Sequence, residues 1–104
     1  MNLVFFKLSG EPKPGDYLNL CYRSKHGGRT DAQVWIGMNL DGTVPNCNDI
    51  ASWIANKIRE DWKMVGFEAK AKEGTIILTH NLSDVEFEFE QEGSRGIQCG
   101  REDI

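Results

Sequence analysis

The sequence predicts an α+β domain: a mainly antiparallel β-sheet or sandwich with one covering helix, in the order β-β-β-α-β-β-β. Three stretches predict it. Asn46 to Trp62 reads as a single capped amphipathic helix. Gly66 to Thr79 reads as a tight hairpin, with strands Gly66-Phe67-Glu68-Ala69-Lys70-Ala71-Lys72 and Thr75-Ile76-Ile77-Leu78-Thr79 joined at Glu73-Gly74. Val85-Glu86-Phe87-Glu88-Phe89-Glu90 alternates strictly, with valine and phenylalanines for one face of a sheet and glutamates for the other.

Taken in order, Leu3-Val4-Phe5-Phe6-Lys7-Leu8 is short, apolar and β-prone, hence a strand. Ser9 to Gly15 is a turn cluster, because Pro12 and Pro14 fix φ and withhold donors from any ladder. Asp16 to Arg23 alternates as a half-buried strand, with Leu18, Leu20 and Tyr22 on one face and Asn19 and Cys21 on the other. Ser24 to Asp31 is polar and carries Gly27 and Gly28, so it is expected as a hairpin tip, and Ala32 to Met38 returns as a strand. Asp41-Gly42 makes the next turn.

The helix starts cleanly. Asn46 can cap it, and Asp49 three residues later suits both a capping box and the positive helix N-terminus. Ile50, Ala51, Ile54, Ala55, Ile58 and Trp62 share one broad stripe, with Trp53 on its margin and Asn56, Arg59 and Glu60 in solvent. Gly66 is placed to end it, since glycine takes positive φ freely. Asn81 to Asp84 turns the chain into the last alternating strand. Residues 1–92 are expected as one domain and 93–104, glycine-rich and polar, as a flexible C-terminal tail.

At 104 residues the chain is near the modal size of one domain. An apolar share of 39% is low for a globular chain, which predicts a thin core with some apolar surface reserved for a partner. No apolar run approaches the ~20 residues of a membrane span, and Met1-Asn2-Leu3 opens without a signal-peptide pattern, so an intracellular protein is expected. Cys21, Cys47 and Cys99 are an odd number without metal-ligand spacing, which predicts reduced thiols. A net charge of −4 repels phosphate backbones and argues against nucleic acid as the main partner. The charge is uneven: beyond Pro45, twelve acids face seven bases.

The chemistry-bearing residues each have a plain structural reading beside the functional one. Glu86, Glu88 and Glu90 could bind a cation or a basic partner, yet period-two glutamates also serve simply to discourage edge-to-edge pairing. His26 and His80 lack the carboxylate and nucleophile patterns of acid–base sites. Cys47 sits where a helix dipole lowers a thiol pKa, but no companion histidine is recognisable. His26-Gly27-Gly28-Arg29 is glycine-rich and basic, but it lies between two strands rather than before a helix, so a phosphate cradle is poorly supported. Trp62 suits core packing; Trp53 suits core or interface equally. No catalytic, cofactor or metal residues are assigned. The candidate partner contacts are His26, Gly27, Gly28, Arg29, Trp53, Glu86, Glu88, Glu90, Arg95, Ile97 and Arg101.

Gly10 with Pro14-Gly15-Asp16 forms a Gly-x-x-x-x-Gly-Asp turn opening an alternating strand. Thr43 precedes Asp49-Ile50-Ala51, Ile54-Ala55 and Ile58; Gly66-Phe67-Glu68-Ala69 and Gly74-Thr75-Ile76-Ile77-Leu78-Thr79 follow. This layout, from Gly10 to Phe89, resembles a small β-rich domain recurring in bacteriophage tail and other virion proteins. The resemblance implies a non-enzymatic assembly subunit of the tail, baseplate or capsid surface, found in the virion and, during assembly, in the host cytoplasm. Its partners would be further copies of itself or a neighbouring virion protein, with no cofactor. The alternative is a small acidic phage-encoded inhibitor or adaptor that binds one host protein, for which Glu86, Glu88, Glu90 and Glu92 are the best support.

Overall fold

The computed structural model describes residues 2–24, 29–62, 66–80, 85–90 and 96–103. They form β1 (Asn2–Gly10), β2 (Tyr17–Ser24), β3 (Arg29–Trp35), α1 (Cys47–Asp61), β4 (Glu68–Lys72), β5 (Thr75–His80), β6 (Val85–Glu90) and β7 (Ile97–Asp103). The fold is α+β, with two antiparallel sheets and a single helix among the described residues. One sheet has the order β4-β5-β1-β7 and the other β3-β2-β6. The expected order holds through β6, and β7 adds one strand beyond it.

The helix forms as its sequence dictates. The Asn46 side chain accepts from the Asp49 amide at 2.9 Å, Asp49 lies in the first turn and Arg59 in the last. Ile50, Ala51, Ile54, Ala55 and Ile58 are buried, and Trp62, the C-cap, is buried completely. Each buried isoleucine contributes about 1.5–3 kcal/mol of burial free energy, which makes this stripe the main tie between helix and sheet. Arg59 is exposed, as its position opposite the stripe requires, yet its Nε donates to the Ala69 carbonyl at 2.6 Å and ties the helix to β4.

The core joins both sheets. Phe67 lies at its centre, with ring centroids 4.7 Å from Tyr22, 5.3 Å from Trp62 and 6.0 Å from Phe87. Phe6 of β1 meets Phe87 of β6 edge-on at 5.7 Å, so the two sheets face each other across aromatic contacts. His80 is buried and packs its ring on Phe67 and Phe87 at 5.3 and 5.5 Å. Its place at the end of β5 is therefore a packing position.

Three expectations are corrected. The segment expected as a tail contains β7, which pairs with β1 from Gly10↔Ile97 to Val4↔Asp103. Its sequence carries little apolar signal because the strand is held by backbone pairing and by Asp16. That buried carboxylate accepts from the amides of Gly96 at 3.1 Å and Ile97 at 3.0 Å, and from Lys13 at 3.0 Å. The crossing is close: a Cβ on Gly96 would lie 1.7 Å from the Glu11 carbonyl oxygen, and one on Gly10 2.1 Å from the Gly96 oxygen. Second, Asn19 and Cys21 are buried although the alternation sets them opposite Leu18 and Leu20; on central β2 they are flanked in register by the longer residues Gln33 and Asp31 of β3 and Glu90 and Glu88 of β6. Third, the strand after the expected hairpin tip begins at Arg29, so Arg29 to Asp31 are ladder residues opposite Arg23 to Cys21.

The turn between β4 and β5 is where the sequence put it. Glu73 and Gly74 both take positive φ, 51° and 76°, as a two-residue hairpin turn requires. Among the described residues, no helix is long and apolar enough to cross a membrane.

Candidate functional site

In β1 the apolar residues run without a break, Leu3-Val4-Phe5-Phe6, and β5 repeats the pattern in Ile76-Ile77-Leu78. Strands of this kind have apolar groups on both faces. Val4, Phe6, Ile76 and Leu78 point into the core. Leu3, Phe5 and Ile77 point the other way, where they are only half-buried. The register places them in rows across the outer face of the four-stranded sheet. Glu68, Thr79 and Leu3 form one row; Lys70, Ile77 and Phe5 the next; Lys72, Thr75 and Lys7 the third.

This face is an open groove of about 1010 Å³, with Leu3, Phe5, Ile77 and Thr79 on its floor and Lys70 and Arg59 on its rim. Arg59 is fixed there by its bonds to the Ala69 carbonyl and to Asn56 Oδ1, the latter at 2.8 Å. The described side chains that flank the floor are Lys7, Lys70 and Lys72 against Glu68, so the groove is locally basic on a chain of net charge −4. The backbone of Glu102 lies opposite Phe5 on the β7 side. An apolar floor with a charged rim is the anatomy of a protein contact, and among the described residues it contains no paired acid and base or activated nucleophile.

The residues that sequence reasoning singled out do not converge here. Trp53 is exposed on α1, at 44% of its surface. Glu86 is exposed on β6, opposite Arg23 of β2. Glu88 and Glu90 pair through their backbones with Cys21 and Asn19. Ile97 is a correction: it is buried in the core, so it anchors β7 and presents nothing to a partner. Arg101 is exposed, with its guanidinium carbon 5.4 Å from the centroid of the Phe87 ring, a cation–π position at the margin of the core. Arg29 opens β3. His26, Gly27, Gly28 and Arg95 lie outside the described residues, as does Glu92.

The thiols are not activated. Cys47 donates its thiol to the Gly10 carbonyl at 3.6 Å, and burial pushes its pKa up despite its place at the start of α1. Burial pushes Cys99 up to about 12. None of the three cysteines is in a disulfide, and Cys21 is buried.

Leu3, Phe5 and Ile77 were not singled out from the sequence, although the unbroken apolar runs were the available signal. Comparison with protein-family profiles, with curated protein sequences and with solved structures finds no match to this chain.

Proposed function

We propose that the chain is a virion assembly subunit of a bacteriophage, in the tail, baseplate or capsid surface. It works through protein–protein contact, and the contact runs through the outer face of the four-stranded sheet. The observation that carries the contact is the strip of Leu3, Phe5 and Ile77, which the chain builds and then leaves half-uncovered. The virion assignment itself rests on the sequence resemblance. A second copy is a suitable occupant, because the apolar floors of two copies would bury each other.

The test has two parts. Sedimentation velocity over a concentration series should show self-association that Phe5→Lys and Ile77→Lys abolish. These outward positions tolerate charge without entering the core, so the variants should keep the native thermal midpoint. Mass spectrometry of purified phage particles should find the polypeptide. A chain that stays monomeric, with no dependence on Phe5 or Ile77, would refute the contact. Absence from particles would refute the virion role.

The exposed Glu86 and the acidic net charge favour one other reading, an inhibitor or adaptor for a single host protein. That reading requires a one-to-one complex that charge reversal at Glu86 weakens and added salt dissolves.

A further inference from the structure

The three-stranded sheet presents an outer face of different chemistry. Its register sets Tyr17 opposite Trp35, Asn19 opposite Gln33 and Cys21 opposite Asp31, while Leu18, Leu20, Ala32 and Val34 point inward. The outer face thus carries an aromatic pair, an amide pair and a carboxylate in successive steps of about 7 Å along the strands. Trp35 is 67% exposed. Its ring centroid lies 4.5 Å from that of Tyr17 with the planes inclined at 43°, so the rings touch and nothing can slide between them. The Tyr17 hydroxyl accepts from Gln33 Nε2 at 3.0 Å, which fixes both side chains. The indole is backed by the phenol and keeps an open side.

Asn19 supplies the second observation. It is 4% exposed, and its Nδ2 donates to Asp31 Oδ1 through a long bond of 3.3 Å. Its Oδ1 has no hydrogen-bond partner. An unmet acceptor this well buried is costly and calls for a donor. That atom is closed to solvent, and the groups beside it that a ligand can reach are Gln33, opposite Asn19, and Asp31, both exposed.

We infer that this face binds a neutral oligosaccharide laid along β2 and β3. A sugar ring has an apolar C–H face, which matches the open side of Trp35, and a rim of hydroxyls that donate and accept. Gln33 meets the hydroxyls of the stacked ring. Hydroxyls of the next ring donate to the exposed Asp31 carboxylate, which also accepts from Asn19 Nδ2. The chemistry disfavours the other occupants. A protein anchor residue seeks an apolar surround, whereas the neighbours here are two amides and a carboxylate on β2 and β3, with Glu90 and Glu88 in register on β6. A cation would need a carboxylate beside the indole, but Asp31 stands two register steps away, roughly 14 Å along the strand, and Glu90 lies one step along and two strands across, on β6. An acidic sugar would meet Asp31 and a net charge of −4.

The test is a glycan array, followed by ¹H–¹⁵N titration of the intact chain with maltohexaose, cellohexaose and chitohexaose. At least one neutral glycan should bind and shift the Trp35 indole N–H together with backbone amides of residues 17–19 and 31–35. Trp35→Ala should weaken binding about tenfold, the worth of one stacking contact, with an unchanged thermal midpoint because the side chain is exposed. Gln33→Ala, at a second exposed position, should weaken it as well, while Glu60→Gln on the helix should not. Absence of binding by every neutral glycan overturns the inference. So does binding unaffected by both Trp35→Ala and Gln33→Ala, or a peptide that occupies these residues when no glycan does.

Discussion

Asp16 decides whether the last strand belongs to the fold. Its Oδ2 accepts three backbone amides, from Lys13, Gly96 and Ile97, and the residue is 1% exposed. Hydrogen bonds to a charged group are worth about 1.5–3 kcal/mol each, so the three sum to roughly 4.5–9 kcal/mol before the cost of burying the carboxylate is returned. Removing that desolvated charge gives part of the sum back, and the net cost of Asp16→Ala is expected at about 3–5 kcal/mol. Against a total of about 5–15 kcal/mol for a domain, this is a large fraction. Asp16→Asn keeps the shape and loses the charge, so it should cost about 1–2 kcal/mol. Urea titration followed by far-ultraviolet circular dichroism measures both. Hydrogen exchange places the effect: the β7 amides should lose protection first, ahead of those of β2 and β3. If Asp16→Ala costs less than about 1 kcal/mol while β7 stays protected, the clasp does not hold the strand and β1–β7 pairing suffices by itself.

The remaining expectations concern the helix, a turn and the thiols. Ile54→Ala should cost about 2–5 kcal/mol in the same urea titration, because Ile54 is fully buried at the centre of the helix stripe; a cost under roughly 0.5 kcal/mol would mean that another face is inward. Glu73→Asn should stabilise by about 0.5–1 kcal/mol, raising the melting temperature by a few degrees, since Glu73 sits at a φ of 51° that asparagine adopts more readily. Thiol counting in denaturant without reductant should find three thiols, while in the native state alkylation at pH 8 should be slow at every site. The Cys99 thiol is raised to about 12 in the fold, so the folded state holds its proton where the unfolded chain releases it. The stability this contributes is therefore complete below the ordinary thiol value of 9.0 and is lost between there and about 12. Melting at pH 9–11 should fall less steeply in Cys99→Ser.

Much of the architecture was legible because its signals are local. The Asn46 cap, the isoleucine stripe, the Glu73-Gly74 turn and the alternation of β6 each lie within a few residues, and each element appears where those signals put it. What was illegible depends on partners distant in sequence. β7 has almost no apolar pattern, and its anchor, the Asp16 carboxylate, lies 81 residues before Ile97. The burial of Asn19 and Cys21 depends on the residues that β3 and β6 set beside them, which no alternation within β2 can reveal. The groove was half-legible. The unbroken apolar runs of β1 and β5 announce strands with two apolar faces, but only the register of β4, β5 and β1 shows that Leu3, Phe5 and Ile77 share the outer one and that lysines flank them.

The two outer faces lie on opposite sides of one core, and their chemistry separates their tasks. Aromatic contacts between Phe6 and Phe87 and between Tyr22 and Phe67 set the sheets face to face, which leaves Phe5 and Trp35 on outward surfaces of different sheets. A contact through Phe5 and Ile77 therefore leaves Trp35 free. If two copies meet through that groove about a twofold axis, each presents its Tyr17–Trp35 face away from the other. A pair built this way is multivalent for any ligand of that face. Linked weak sites can then exceed the affinity of one site by about 10²–10⁴ without a new contact, provided the ligand is long or repeated enough to reach two of them. Monomeric variants at Phe5 should keep the single-site affinity for a short glycan and lose only this gain on a repeating one. A loss of short-glycan affinity in the same variants would show that the two faces are coupled, and the separation argued from their placement would fail.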